Sequence, residues 1–138
     1  MSCIEWNLQL QEENEESNLY DPVGDIKILG DRGFVEEKDT YLDAFFEAFI
    51  EGANRMEAEN IFSVDPLIEP NDILFHCDNN ELEIEYRKQK ALILNKNIFL
   101  EDLQNAVADF LRESDKLAHN SNQPKRKLTK LRNFLLNK

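Results

Sequence analysis

The sequence predicts an α+β fold: a mainly antiparallel sheet of about five to seven strands with two long helices on one face, plus a short basic helix at the C-terminus. Three observations lead to this expectation. Short segments with alternating apolar residues are separated by turn residues, as in strands. Two longer segments repeat their apolar residues at helical spacing. Consecutive strands are joined by connections of hairpin length, which favours antiparallel pairing in two layers.

The first strands precede a helix. Residues 3–10 alternate apolar and polar side chains, which predicts a half-buried strand. Residues 11–22 are polar and acidic and are expected to form an exposed loop. Residues 25–29 alternate again, and the turn residues from Gly30 to Gly33 allow residues 34–37 to return as a hairpin.

Residues 39–57, DTYLDAFFEAFIEGANRME, form the strongest predicted helix. Thr40 followed by Asp43 resembles a capping box, which would fix where the helix begins. Gly52 lies beside the apolar face and costs about 1 kcal/mol relative to alanine. It indicates either a close approach by another element or a tolerated glycine at the surface edge. The apolar face contains Leu42, Phe45, Phe46, Phe49, Ile50, Ala53 and Met56.

Further strands are expected at residues 61–64, 73–77, 82–86 and 91–94, with a hairpin through Asp78-Asn79-Asn80. Residues 100–117 are predicted to form the second long helix. Residues 120–124 form a break after it, and the last residues suit a short basic amphipathic helix. The expected organisation is a single α+β domain over residues 1–118, followed by a linker and tail over residues 119–138.

Composition limits the partners of this chain. Its 138 residues fit one domain, and 41% apolar residues suffice for a core. A net charge of −12 disfavours nucleic acid or an anionic membrane as the main partner and favours a basic protein. The first ten residues lack the features of a signal peptide, and no apolar stretch is long enough to span a membrane. We therefore expect a cytoplasmic protein in which Cys3 and Cys77 are reduced.

The charge is divided between body and tail. Residues 125–138 carry six basic residues and no acid, so the remaining chain has 10 basic and 28 acidic residues and a balance of −18. This division predicts that the tail docks on its own body, on a sister chain or on a separate acidic partner. The tail's cations are Lys125, Arg126, Lys127, Lys130, Arg132 and Lys138.

Two acidic rows are candidate partner-binding residues. The helical row contains Asp43, Glu47 and Glu51, and the strand row contains Glu81, Glu83 and Glu85. Like charges four residues apart cost a helix a few tenths of a kcal/mol, which is consistent with a role in binding. The alternatives are a solvated helix face and the wet side of a sheet. A third group, in the 11–22 loop, contains Glu12, Glu13, Glu15 and Glu16.

The sequence contains no phosphate-binding, dinucleotide-binding, nucleophile-elbow or zinc-protease motif. His76 and Cys77 are adjacent in a predicted strand and therefore point to opposite faces. No catalytic residue, metal ligand or cofactor is assigned. Asp65 and Glu69, in the loop DPLIEP, are the acids that a small enzyme would use for general acid–base chemistry.

The small size, the acidity and the α+β pattern without catalytic signatures resemble bacterial immunity proteins. The segments TYLDAFFEAFIEG and ELEIEY also resemble those of uncharacterised bacterial proteins. The first resemblance implies a non-enzymatic protein of immunity or inhibitor type, whose acidic surface binds a basic toxin. The alternative is a homo-oligomeric structural or regulatory protein assembled through its basic C-terminal tail.

Overall fold

The computed structural model describes residues 2–9, 22–67, 69–120, 122, 124 and 127–136. The predicted α+β class is confirmed, and the acidic loop of residues 11–22 lies outside the described residues except for Pro22. None of the described helices is both long enough and apolar enough to cross a membrane. The elements, in chain order, are β1 (Ile4–Leu8), β2 (Val23–Leu29), β3 (Phe34–Tyr41), α1 (Leu42–Arg55), β4 (Ile61–Val64), β5 (Ile73–Asp78), β6 (Glu81–Tyr86), β7 (Gln89–Ile93), α2 (Lys96–Asn120) and α3 (Thr129–Leu136).

The strands form two antiparallel sheets, with the orders β1-β2-β3 and β4-β5-β6-β7, so the prediction of one sheet is wrong. A single bridge between Arg32 and Leu92 links β7 to the β2–β3 turn. Next to β3, the Gln89 side chain makes the two hydrogen bonds that a neighbouring strand backbone would make. Its amide donates to the Glu36 carbonyl and its oxygen accepts from the Glu36 N–H, both at 3.0 Å. Because Gln89 satisfies these groups, the backbone ladder does not continue from β3 to β7.

The sheets turn their apolar residues toward the helices. Ile4, Ile28 and Val35 are opposite one another on β1, β2 and β3, and all three are buried. In the second sheet, Phe75 faces Ile84, and both side chains are completely buried. Since successive strand residues point to opposite faces, the same alternation directs the polar neighbours away from the core.

Aromatic contacts fix α1 against its surroundings. Phe45 packs edge-on against Tyr86 of β6, with ring centroids 5.7 Å apart. Phe46 lies 5.0 Å from Phe110 of α2. The apolar face predicted for this helix is confirmed, since its residues are buried in the common core.

The predicted capping box is wrong. The helix begins at Leu42, and the capping residue Tyr41 makes no side-chain cap hydrogen bond. Thr40 belongs to the end of β3 and is buried. Its hydroxyl donates to the Glu69 carboxylate at 3.0 Å, so a partner distant in sequence engages the proposed capping group.

The second and third helices pack on the same core. The second helix is longer than predicted, which places His119 in its last turn and not in a linker. On the third helix, Leu131 is completely buried, while Phe134 and Leu135 pack partly buried against the core. The described part of the tail is therefore held on the chain's own body by apolar contacts.

Candidate binding groove

The helical row lies on the outer side of α1, where its helix positions place it opposite the buried aromatic residues. Asp43 stands in the first turn and its carboxylate accepts a hydrogen bond from the Ala44 N–H at 3.0 Å. Glu47 lies 3.8 Å from the ammonium of Lys130, and Glu51 lies 3.4 Å from Arg55. The row thus meets cations from its own helix and from α3.

Glu47 and Glu51 border a groove of about 800 Å³ between α1, α2 and α3, which we call the helix groove. Buried and half-buried apolar side chains contribute to its lining, and carboxylates and side-chain amides surround them. This combination of apolar surface and negative charge suits a ligand that is apolar on one side and cationic at its edges. The apolar residues are Ile50, Ala53, Leu100 and Phe134; the carboxylates belong to Glu47, Glu51, Glu57 and Glu101.

The cations beside the helix groove are already engaged. Arg55 bonds to Glu59 at 2.8 Å and to the Ser63 carbonyl at 2.9 Å, and its guanidinium lies 4.5 Å from the Phe62 ring centroid. The hydrogen bond from Arg55 lowers the pKa of the Glu59 carboxyl. By contrast, Glu57 and Glu101 make no ion pair within the described parts of the chain. Negative charge therefore remains available on the two sides of the groove.

The strand row occupies a different surface. Leu82, Ile84 and Tyr86 enter the core, so Glu81, Glu83 and Glu85 on the same strand face away from the helices. Glu83 stands between His76 and Leu92, and Lys90 approaches it at 3.9 Å. The structure does not bring the two rows together, and the strand row is interrupted by apolar and basic neighbours.

The cations predicted to dock the tail have separate placements. Lys125 and Arg126 lie outside the described residues. Lys127 is exposed, and its carbonyl accepts a hydrogen bond from Arg132 at 2.9 Å. The Arg132 guanidinium also bonds to both carboxylate oxygens of Asp115 on α2, at 2.8 and 3.3 Å. Among the described cations of the tail, Lys130 borders the helix groove.

Asp65 and Glu69 have local structural contacts. The Asp65 carboxylate accepts from the Leu67 N–H at 2.8 Å and holds a turn in which Leu67 has a φ of 72°. Glu69 accepts from the buried hydroxyl of Thr40. These contacts give both acids roles in shaping the loop between β4 and β5.

Sequence reasoning missed a polar cluster at Glu37. The Tyr86 hydroxyl donates to Glu37 at 2.6 Å, and Arg87 donates to the same carboxylate at 3.0 Å. Burial, followed by the hydrogen bond to Glu37, raises the pKa of Tyr86, and Glu37 raises the pKa of Arg87. A signal was available in the sequence, since Glu37 lies two residues after Val35 in the strand predicted over residues 34–37 and therefore shares its inward face.

Both cysteines are free thiols. Burial, together with the neighbouring carboxylate of Asp102, raises the pKa of the Cys3 thiol to about 12. Asp102 also accepts a hydrogen bond from the Cys3 N–H at 2.8 Å, which ties β1 to α2. The protonated thiol is a poor nucleophile, so Cys3 has a structural place between these elements.

Compared with family models, with curated proteins and with solved structures, the chain matches none of them. No role can be transferred to its residues from a relative. The helix groove and the distribution of charge around it are therefore the features of the molecule that bear on its function.

Proposed function

We propose that this chain is a non-enzymatic binding protein of immunity or inhibitor type that receives a basic protein at the helix groove. The observation that carries the proposal is the set of carboxylates beside buried apolar side chains in one cleft. The carboxylates attract and orient a cationic partner, which increases the association rate and disfavours acidic competitors. Desolvation of Leu100 and Phe134, the half-buried apolar side chains of the lining, then slows dissociation.

The helix groove has stronger support than the strand row as the primary contact. Its acidic groups lie beside apolar residues in one cleft, whereas Glu81, Glu83 and Glu85 alternate along the outward face of β6. Concave sites bury more of a partner's surface for each residue than flat ones do. Glu81, Glu83 and Glu85 remain a candidate second contact for a large partner.

The alternative of a homo-oligomer joined through the tail has less support. The described part of the tail packs on its own chain, with Leu131 inside the core and Arg132 bonded to Asp115. A small enzyme using Asp65 and Glu69 also has less support, because the contacts of both side chains hold a loop and Thr40 in place.

The first prediction concerns Glu47 and Glu51, the two residues of the helical row that border the groove. Proteins should be co-purified from the native host with the parent chain and with the double variant Glu47→Lys/Glu51→Lys. We expect the partner to be a basic protein whose association with the parent slows as salt increases. The double reversal should slow association at least tenfold. Stopped-flow measurement with the isolated partner at two salt concentrations checks this.

The matched control is Glu5→Lys/Glu113→Lys, which changes the net charge equally at exposed positions outside the groove. Its association rate should fall much less. The exposed pairs lost at Glu47 and Glu51 contribute about 0–1 kcal/mol each, so circular dichroism and thermal melting should report an intact fold. Equal binding by the parent and the groove variant would refute the proposed site.

A further inference from the structure

The third helix is itself a basic amphipathic helix seated at one end of the helix groove. It buries Leu131 in the core and places Lys130 3.8 Å from Glu47. Lys130, Asn133 and Phe134 all line the groove. The structure thus contains one example of a helix with leucines inward and a cation toward the acidic row of α1.

The part of the groove lined by α1 and α2, which we call its open part, repeats this chemistry. Leu100 of α2 is half-buried and supplies apolar surface beside the buried Ile50 and Ala53 of α1, and Glu57, just after α1, and Glu101 of α2 supply carboxylates. The lining residues of α1 and of the turn that follows it extend from Glu47 to Glu57, which at 1.5 Å per residue is about 15 Å, so one side of the groove is about as long as three turns of a helix lying beside it.

We infer that the open part of the helix groove binds a basic amphipathic α-helix presented by the partner protein, as a continuation of the surface on which α3 lies. This inference rests on the proposed function and specifies the element that the partner inserts. The bound helix carries leucine-like residues at helical spacing on one face, with lysine or arginine at its borders. Such helices bind hydrophobic grooves through anchors at i, i+3, i+4 and i+7.

An extended segment fits this groove less well. Strand addition gains affinity from main-chain hydrogen bonds to a free sheet edge, whereas α1, α2 and α3 supply the lining here. Backbone groups inside these helices already bond within their own helix. An extended peptide over Ile50, Ala53 and Leu100 would leave part of its backbone desolvated without partners, and a helix satisfies those groups internally.

Two synthetic peptides of identical lysine and leucine composition test the inference against the full-length protein. One arranges leucine with helical period, and the other alternates leucine and lysine with strand period. The helical-period peptide should bind at least tenfold more tightly by fluorescence anisotropy and gain helix signal on binding. A third peptide, with glutamate in place of lysine, should bind at least a hundredfold more weakly than the first.

The groove variant Glu57→Lys/Glu101→Lys should weaken binding of the helical-period peptide at least tenfold. The change breaks no ion pair within the described residues, so the fold should be retained. Glu5→Lys/Glu113→Lys is the control with equal charge change and should alter the affinity less than threefold. This comparison separates binding in the groove from general attraction to an acidic protein.

Every other pattern overturns the inference. If both peptides bind equally and both depend on Glu57 and Glu101, the groove selects cations without selecting a helix, and the proposed function survives. If binding depends on Glu47 and Glu51 alone, the ligand lies at the α3 end of the groove. If no peptide binds, the helix inference fails, and the native partner's response to Glu47→Lys/Glu51→Lys decides the proposed function separately.

Discussion

At the residue scale, Gly52 shows how closely α1 approaches the second sheet. A β-carbon added at this position would lie 2.3–2.8 Å from ring atoms of Phe75. That ring is completely buried and stacks on Phe62 with centroids 5.1 Å apart, so it has little room to move. The close approach is by a strand residue. The sequence left two interpretations of Gly52 open, and the one that placed it as a tolerated glycine at the surface edge is wrong.

We predict that Gly52→Ala destabilises the protein. Alanine gains about 1 kcal/mol of helix propensity, but overpacking a filled core costs about 1–3 kcal/mol. With the β-carbon this close to a confined ring, we expect a net loss of about 2 kcal/mol. Urea unfolding at constant m-value measures it.

The control for Gly52 is the same substitution in a Phe75→Leu background. Leucine removes the ring atoms that the new methyl group meets, so alanine should then be neutral or stabilising by up to about 1 kcal/mol. Stabilisation by Gly52→Ala in the parent chain would mean that the ring yields easily and would contradict the close packing.

At the element scale, the β6–β7 hairpin has an unusual connection. Tyr86 pairs with Gln89, so Arg87 and Lys88 alone form the loop, with φ values of 49° and 66°. Two-residue loops of this kind favour asparagine and glycine, because other residues resist positive φ. Arg87 is additionally held by its bonds to Glu37. The strands predicted over residues 82–86 and 91–94 left a connection over residues 87–90, which is longer than the two-residue loop in the structure.

We predict that Lys88→Gly stabilises this hairpin. A left-handed conformation costs a residue with a β-carbon about 1–2 kcal/mol, and glycine avoids this cost. Glycine also loses more conformational entropy on folding, which offsets about 0.5–1 kcal/mol of the gain. The net gain should be about 0.5–1 kcal/mol in the free energy of unfolding. Asn79→Gly is the control at a φ of 55°, and its gain should be smaller because asparagine tolerates this region. A loss of stability at Lys88→Gly would contradict the assigned turn conformation.

Periodicity predicted the elements well because burial enforces it. The apolar face of α1 and the alternation of β6 follow directly from which side meets the core. The errors arose where a side chain found a distant partner. Thr40 bonds to Glu69 and does not cap α1, and Gln89 bonds to Glu36 and separates the two sheets. Such contacts depend on three-dimensional packing and leave no local pattern.

At the scale of the whole molecule, the sequence identified the acidic row of α1 but not the groove beside it. Glu47 and Glu51 could be read from their spacing, since residues four apart share a helix face. Glu57 and Glu101 join them only because α1, α2 and α3 pack around a common cleft. The sequence also left three positions for the tail, and burial of Leu131 places its described part on the chain's own body.

The excess of negative charge also predicts how the molecule responds to salt. A net charge of −12 repels itself in the compact state, and raising the ionic strength from 0.01 to 0.1 M shortens the screening length from about 30 to about 10 Å. The same salt weakens the surface ion pairs, such as Lys130 with Glu47 and Arg55 with Glu51, but each of these contributes only about 0–1 kcal/mol. Repulsion should therefore dominate, and the melting temperature should rise by about 3–6 °C, which corresponds to about 1 kcal/mol.

Calorimetry of the parent and of Glu47→Lys/Glu51→Lys checks this prediction. Each reversal raises the net charge by two units, so the double variant carries a net charge of −8. The variant should show a smaller rise, and a parent whose melting temperature falls with salt would show that its ion pairs outweigh its self-repulsion.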